Sequence, residues 1–144
     1  MNDFTASFVV DQTPERVFDA INDVRGWWGD DVEGSNDHVG DEFTYRVQDI
    51  HYSRLEVLER VPNEKVAWRV LDNRMNFVHD QTEWVGSTIR FDISRAGDQT
   101  EVRFAHVGLN PEDECFAVCS NAWGYLMHGS LPRLITTGKG QPYK

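Results

Sequence analysis

Basic residues are scarce in this sequence. Only 14 lysines and arginines stand against 24 aspartates and glutamates, which leaves a formal net charge of −10 over 144 residues. Such a surface repels nucleic-acid phosphates and anionic lipid headgroups, so we expect neither nucleic acid nor a membrane as a partner. No apolar run approaches the ~18 residues that cross a bilayer. The polar start MNDFTASFVV also lacks a signal-peptide pattern, and the expected location is the cytoplasm.

Cysteine is equally rare, with Cys115 and Cys119 as the two examples. On a helix they lie one turn apart, which is poor geometry for a disulfide and fits a reducing compartment. A zinc site usually needs a second pair of ligands, which the sequence lacks. We therefore expect both thiols to be reduced and metal-free, and we expect no cofactor.

Catalytic motifs are missing as well. The five histidines fall in no H-E-x-x-H pattern, and the sequence has no G-x-S-x-G, phosphate loop or dinucleotide fingerprint. Strand alternation directs Asp92 and Glu101 outward, where charged groups are ordinary surface. The residues thus assign no reaction, and a protein without enzymatic activity is the favoured expectation.

The strongest helix signals lie between Asn110 and Gly138. Asn110 is a good N-cap, Pro111 suits the first helical position, and Gly138 is a plausible left-handed C′ residue. Pro132 removes one backbone donor and crowds the preceding turn, which predicts a bend near Gly129. An apolar stripe at three- and four-residue spacing completes the pattern, made of Phe116, Cys119, Trp123, Leu126, Met127, Leu131, Leu134 and Ile135.

Alternating apolar and polar residues before this helix predict a sheet. A first strand is followed by a helix capped by Thr13, the tryptophan pair Trp27–Trp28, and a loop over 30–40. Two adjacent tryptophans are not expected to face one core, so one should line or cover a cavity. The predicted strands are Phe4–Val10, Glu42–Val47, Tyr52–Val61, Val66–Leu71, Ser87–Arg95 and Thr100–His106, with a connection over 72–82.

Short connections between these strands require antiparallel pairing. Each strand has one apolar face, and the final helix is the element large enough to cover it. The sequence therefore predicts one α+β domain over residues 1–144, in which a curved antiparallel sheet of about six strands wraps a long C-terminal helix. Two short helices should follow the first strand.

Several segments carry a family resemblance in order along the chain: VDQTPERVFDAI, GWWG, HYSRLEVLERVPNEKVAWRV, EWVGSTIRF, TEVRFAHVGL and CSNAWGYL. They resemble the START-like helix-grip superfamily (SRPBCC), in the group named after the activator of heat-shock protein 90 ATPase. The resemblance implies the helix-grip fold and a cavity for an apolar ligand between sheet and helix. It does not imply a reaction.

The apolar faces of sheet and helix converge on one space, which we expect to hold a small hydrophobic or aromatic molecule. His106 is expected to point inward as a neutral group that contacts the ligand. The candidate ligand-binding residues are Trp27, Trp28, Phe43, Tyr45, Trp68, Phe91, Phe104, His106, Cys119, Trp123 and Met127.

Two other functions stay open. A cyclase- or hydrolase-like enzyme could use His106 as its base, and the family name suggests a protein that stimulates a chaperone ATPase. A chaperone and a second copy of the chain are the protein partners that these alternatives leave open. An exposed apolar patch of several hundred Å² would favour the chaperone role.

Overall fold

A computed structural model describes residues 3–29, 31–48, 50–76, 79 and 81–142. The strands are β1 (Asp3–Val10), β2 (Val32–Gly34), β3 (Glu42–Val47), β4 (His51–Val61), β5 (Lys65–Met75), β6 (Thr88–Ala96) and β7 (Gln99–Val107). The helices are α1 (Pro14–Asn22), α2 (Val24–Trp27), α3 (Phe116–Tyr125) and α4 (Leu131–Thr137), and a π-helical turn over Leu126–Ser130 joins the last two.

The strands form one antiparallel sheet in the order β1-β7-β6-β5-β4-β3-β2. Four hairpins connect β3 through β7 in succession, and β1 pairs with β7 along its whole length. α1 and α2 follow β1, and the C-terminal helix covers the apolar face of the sheet. The predicted α+β helix-grip architecture is confirmed.

The sheet has one more strand than the sequence indicated. β2 lies within the segment 30–40 that was predicted to be a loop, and Val32 pairs with Tyr45 while Gly34 pairs with Phe43. Gly34 has φ of +99°, and a Cβ there would lie 2.5 Å from the Glu42 carbonyl oxygen. Three residues are too few to show alternation, so this edge strand is visible only through its partner.

β5 also continues past its predicted end at Leu71. Asn73 pairs with Ser53, and Met75 pairs with His51, within the segment 72–82 that was predicted to be a connection. The Met75 amide donates to the Gln81 carbonyl on its other side. The polar run around Asp72 conceals this extension, because burial of Asn73 and Met75 depends on β4 and the following turn.

The C-terminal helix begins later than predicted. Its first residue is Phe116, and the Asn110 amide donates instead to the Asp113 carboxylate over 3.0 Å. Glu83 supplies the cap from a distant part of the chain: its carboxylate accepts from the amides of Glu114 and Cys115 at 2.8 and 3.0 Å. The prediction of Asn110 as N-cap is wrong, because this carboxylate fixes where the helix starts.

A π-helical turn lies where Pro132 predicted a bend near Gly129. The π-helical turn ends at Ser130, and the Leu131 amide donates to the Leu126 carbonyl five residues earlier. Gly138 then ends α4 in the left-handed conformation, with φ of +83°, as predicted. The turn places the Ser130 hydroxyl 2.7 Å from the Trp27 carbonyl, which it bonds as a donor. The helix is thereby fastened to α2 at the level of the tryptophan pair.

Candidate functional site: an aromatic cavity between sheet and helix

A cavity of about 380 Å³ lies between α3, the β3–β4 end of the sheet and the turn that precedes β6. Ile50 and Val118 stand at its rim and are 41% and 52% exposed, so the cavity opens to solvent between them. Its lining is predominantly apolar and consists of Trp28, Tyr45, Val47, Ile50, His51, Trp84, Val118, Cys119, Ala122, Trp123 and Leu126.

Aromatic faces form most of the wall. Trp28 stacks on Tyr45 with ring centroids 4.1 Å apart and planes 15° from parallel. Trp84 and Trp123 form a second nearly parallel pair, at 5.8 Å and 13°. The ring centroids of Trp28 and Trp123 lie 5.2 Å apart, so these two residues connect the two pairs. The cavity is therefore bounded by flat, polarisable surfaces, which favour planar apolar molecules.

Gly29 makes the first of these stacks attainable. A Cβ at this position would lie 2.5 Å from Cε1 of Tyr45. The backbone next to Trp28 can therefore approach the tyrosine ring only because no side chain intervenes. This glycine belongs to the G-W-W-G segment that the sequence resemblance singled out.

His51 is the ionisable imidazole in the lining. Its Nε2 lies 2.8 Å from the Ser53 hydroxyl, and its ring meets Tyr45 and Trp84 edge to face at 5.4 and 4.7 Å. Within the described part of the chain, Nδ1 has no hydrogen-bond partner. Burial lowers the pKa of His51 to about 4, so the ring is neutral at pH 7. One ring nitrogen is thus left without a protein partner among the described residues.

Two further polar atoms lie in the wall. Trp84 Nε1 is buried without a hydrogen bond of normal geometry among the described residues, although it is directed at the Cys119 side chain. Donation of the Cys119 thiol hydrogen to Cys115, followed by burial, raises the pKa of Cys119. Cys119 is therefore a neutral thiol in the folded protein, unsuited to act as a nucleophile.

The structure separates the predicted site residues into two groups. Trp28, Tyr45, Cys119 and Trp123 line the cavity. The others are buried beside it and fill the core: Trp27, Phe43, Trp68, Phe91, Phe104, His106 and Met127. The physical reason is dense aromatic packing at that end of the sheet, where Phe91 meets Trp68 and Phe104 edge to face at 5.4 and 5.2 Å. Alternation identified the inward face correctly but not which part of it stays open.

His106 points inward as expected, yet it lies behind the cavity wall. Trp123 Nε1 donates to its Nδ1 over 3.0 Å, and its Nε2 lies 2.8 Å from the Ser87 hydroxyl. The Trp84 ring contacts it edge to face at 4.6 Å. Both ring nitrogens have protein partners, so neither is left free for the ligand contact that was expected of His106.

The tryptophan pair also departs from expectation. Trp27 and Trp28 are both buried, at 0% and 2% exposure, and their rings stack at 5.8 Å and 10°. The expectation that adjacent tryptophans cannot share one core is wrong, because the short helix α2 directs them both inward side by side. Trp28 alone of the two lines the cavity.

Sequence reasoning missed much of the lining, namely Val47, Ile50, His51, Trp84, Val118, Ala122 and Leu126. His51 was detectable, because it has the same strand parity as the buried residues Ser53 and Leu55. Trp84 was not, because it lies in an irregular turn without periodicity.

Among the described residues, no helix is long and apolar enough to cross a membrane. The same part of the chain has no group of three or more His, Cys, Asp and Glu side chains placed to hold a metal ion.

The family model described as "Activator of Hsp90 ATPase homolog 1-like protein" matches residues 11–135. Nothing among the curated protein sequences matches.

Three solved structures illustrate the similarity in fold. The Aha1 dimer from Colwellia psychrerythraea is 24% identical with a TM-score of 0.78, over 97% of this chain and 100% of that one. DynU16, a putative protein in the dynemicin biosynthetic locus, is 16% identical with a TM-score of 0.73, over 99% of this chain and 50% of that one. MLL2253 from Mesorhizobium loti is 16% identical with a TM-score of 0.69, over 91% of this chain and 95% of that one.

Proposed function

The chain belongs to the Activator of Hsp90 ATPase homolog 1-like family, and we propose that it binds a small planar, largely apolar molecule in the cavity lined by Trp28, Trp84 and Trp123. The observation that carries the proposal is the cavity itself, open at its rim and walled by stacked aromatic rings. Its volume of about 380 Å³ falls within the ~300–1,000 Å³ typical of small-molecule sites.

His51 is proposed to make the polar contact in this site. It is neutral at pH 7 and has one ring nitrogen without a partner among the described residues, whereas both nitrogens of His106 have partners. A ligand with one hydrogen-bonding group on an aromatic frame would satisfy His51 and leave the rest of its surface against the tryptophans. A hydroxylated or carbonyl-bearing aromatic compound has this chemistry.

The occupancy of the cavity is tested with a plugging variant. Ala122→Phe adds an aromatic ring to the lining, and Ala117→Phe adds the same ring at an exposed position of the same helix. We expect an environment-sensitive naphthalene dye to bind the unmodified protein saturably and to quench tryptophan emission. Ala122→Phe should abolish saturation and Ala117→Phe should retain it. Equal binding by both variants, or no saturable binding at all, would refute the proposal.

The role of His51 is tested by comparing two ligands of one shape. His51→Phe should leave naphthalene binding within about twofold and weaken 1-naphthol binding by about 1 kcal/mol, the size of one net hydrogen bond. The matched control is His128→Phe, which replaces an exposed histidine outside the cavity. Equal losses for naphthalene and naphthol would show that His51 only shapes the wall.

The enzymatic alternative receives no support from His106, whose nitrogens have protein partners. Whether the chain forms a homodimer or binds a chaperone is tested by measurements in solution. Sedimentation would reveal a dimer, and stimulation of a chaperone ATPase without any saturable dye binding would favour the interaction role. Location in the cytoplasm is likewise part of the proposal and is checked by cell fractionation.

A further inference from the structure

We propose that the side chains of Cys115, Cys119 and Met75 form a binding site for a soft monovalent cation of the Cu(I) type. This site goes beyond the proposed ligand cavity and does not depend on it. The expectation of no metal was based on the two cysteines alone. The structure adds a third sulfur from another part of the chain.

The three sulfur-bearing side chains are buried together. Cys119 Sγ lies 3.9 Å from Met75 Sδ, to which it donates, and Cys115 precedes Cys119 by four residues. Exposure is 0% for Cys115, 4% for Cys119 and 0% for Met75. The Cys119 amide donates to the Cys115 carbonyl over 2.7 Å, which fixes the two thiols one helical turn apart. Met75 ends β5, so the cluster joins the sheet to the start of α3.

The spacing suits a three-coordinate ion. Metal–sulfur bonds of about 2.3 Å directed to the corners of a triangle place the sulfurs about 4 Å apart. The observed separation of 3.9 Å between Cys119 and Met75 matches that value before any side chain moves. A three-sulfur site also requires the Cys115 thiol to turn towards the same point.

The donor set selects the class of ion. Thiolate and thioether ligands favour Cu(I), whereas carboxylates and carbonyls favour magnesium, calcium and manganese. A structural zinc site is tetrahedral and uses Cys, His and carboxylate ligands, and a methionine sulfur is a poor fourth choice for it. The thioether of Met75 therefore points to Cu(I) over Zn²⁺.

Binding also has a defined proton balance. Two thiols and one Cu(I) give one complex with two thiolates and release two protons, with no change in the oxidation state of copper or sulfur. The complex carries one net negative charge. The positive end of the α3 dipole favours this charge, whereas the Glu83 carboxylate, which accepts from the Cys115 amide, opposes it. Because binding releases two protons, the affinity for Cu(I) should rise with pH. The ion can enter through the cavity, since Cys119 lies in its lining.

The experiment is an anaerobic titration of the purified full chain with Cu(I), in competition with bicinchoninate. We expect one Cu(I) per chain, a thiolate-to-copper band in the near ultraviolet, and three sulfur neighbours at about 2.3 Å by X-ray absorption. Zn²⁺ under the same conditions should not displace the bound ion. Fewer than three sulfur neighbours, or Zn²⁺ binding as tight as Cu(I), would overturn the proposal.

Two methionine variants give the matched comparison. Met75→Leu removes the thioether, and Met127→Leu makes the same change at a buried methionine of the π-helical turn. We expect Met75→Leu to weaken Cu(I) affinity by about tenfold or more, since changes outside the ligand set alone often cost that much. Met127→Leu should leave affinity unchanged. Equal affinities in the two variants, with three-sulfur coordination missing from the unmodified protein, would refute the site.

Discussion

The indole nitrogen of Trp123 donates a hydrogen bond to Nδ1 of His106 over 3.0 Å. Because an indole N–H can only donate, this bond fixes the tautomer of the neutral imidazole, with its hydrogen on Nε2. Nε2 can then donate to the Ser87 hydroxyl, which in turn donates to the Trp84 carbonyl. One chain of hydrogen bonds therefore holds both tryptophans of the second aromatic pair in place.

The first prediction concerns this chain of bonds. His106→Phe keeps an aromatic ring but leaves the Trp123 N–H buried without an acceptor. An unsatisfied buried donor costs about 1–3 kcal/mol, so urea unfolding should show a loss of that size. Dye affinity should change by less than about threefold, because His106 does not line the cavity. His128→Phe is the control. Intact stability with lost dye affinity would place His106 in contact with the ligand.

The second prediction is that acid destabilises the fold. Burial lowers the pKa of His106 to about 3 and that of His51 to about 4, from an ordinary 6.5. At a pH between these lowered pKa values and 6.5, the unfolded chain binds protons that the folded chain does not. The free energy of unfolding therefore rises with pH in this range. As pH falls below about 6.5, each histidine should lower the unfolding free energy, approaching about 1.4 kcal/mol per pH unit.

Urea unfolding at a series of pH values measures this slope. His51→Gln should reduce the slope of unfolding free energy against pH, because one titrating group is removed. His128→Gln, at an exposed position, should leave the slope unchanged. A stability that is flat between about pH 5 and pH 6.5 would contradict the assignment of both buried rings as neutral.

The third prediction concerns the start of α3. Glu83 accepts from two amides that precede the helix, so it combines a hydrogen-bonded cap with a favourable charge at the dipole. Glu83→Gln should lower the unfolding free energy by about 1 kcal/mol. The substitution should also weaken dye binding, because the adjacent residue, Trp84, lines the cavity. Glu112→Gln, an exposed acid in the preceding turn, should be neutral in both measurements.

The fourth prediction concerns the π-helical turn. Pro132→Ala restores a backbone donor where a proline in an undistorted helix costs about 3 kcal/mol. We expect a smaller gain in stability, since the turn already accommodates the ring. Leu126 lies both in this turn and in the cavity lining, so a change in dye affinity would show that the distortion shapes the cavity. Pro111→Ala, in the exposed turn before α3, is the control; an equal gain there would exclude a local effect.

The sequence by itself determined the layers and most of the connections. Strict alternation gives Glu42–Val47 its strand, and Thr13 with Pro14 marks the start of α1. Gly138 ends the last helix as predicted. These features depend on backbone chemistry and on periodicity within a few residues, which a single sequence displays directly.

The position of the cavity depends on contacts between elements that are distant in the sequence. Trp84 comes from a turn without periodicity, and Glu83 next to it sets the start of a helix some thirty residues later in the chain. His51 and His106 both face inward, but one borders open space and the other is enclosed by Trp123 and Ser87. The physical reason is packing: alternation tells which face of a strand is buried, whereas the volume left unfilled depends on side chains that meet from elements far apart in the sequence.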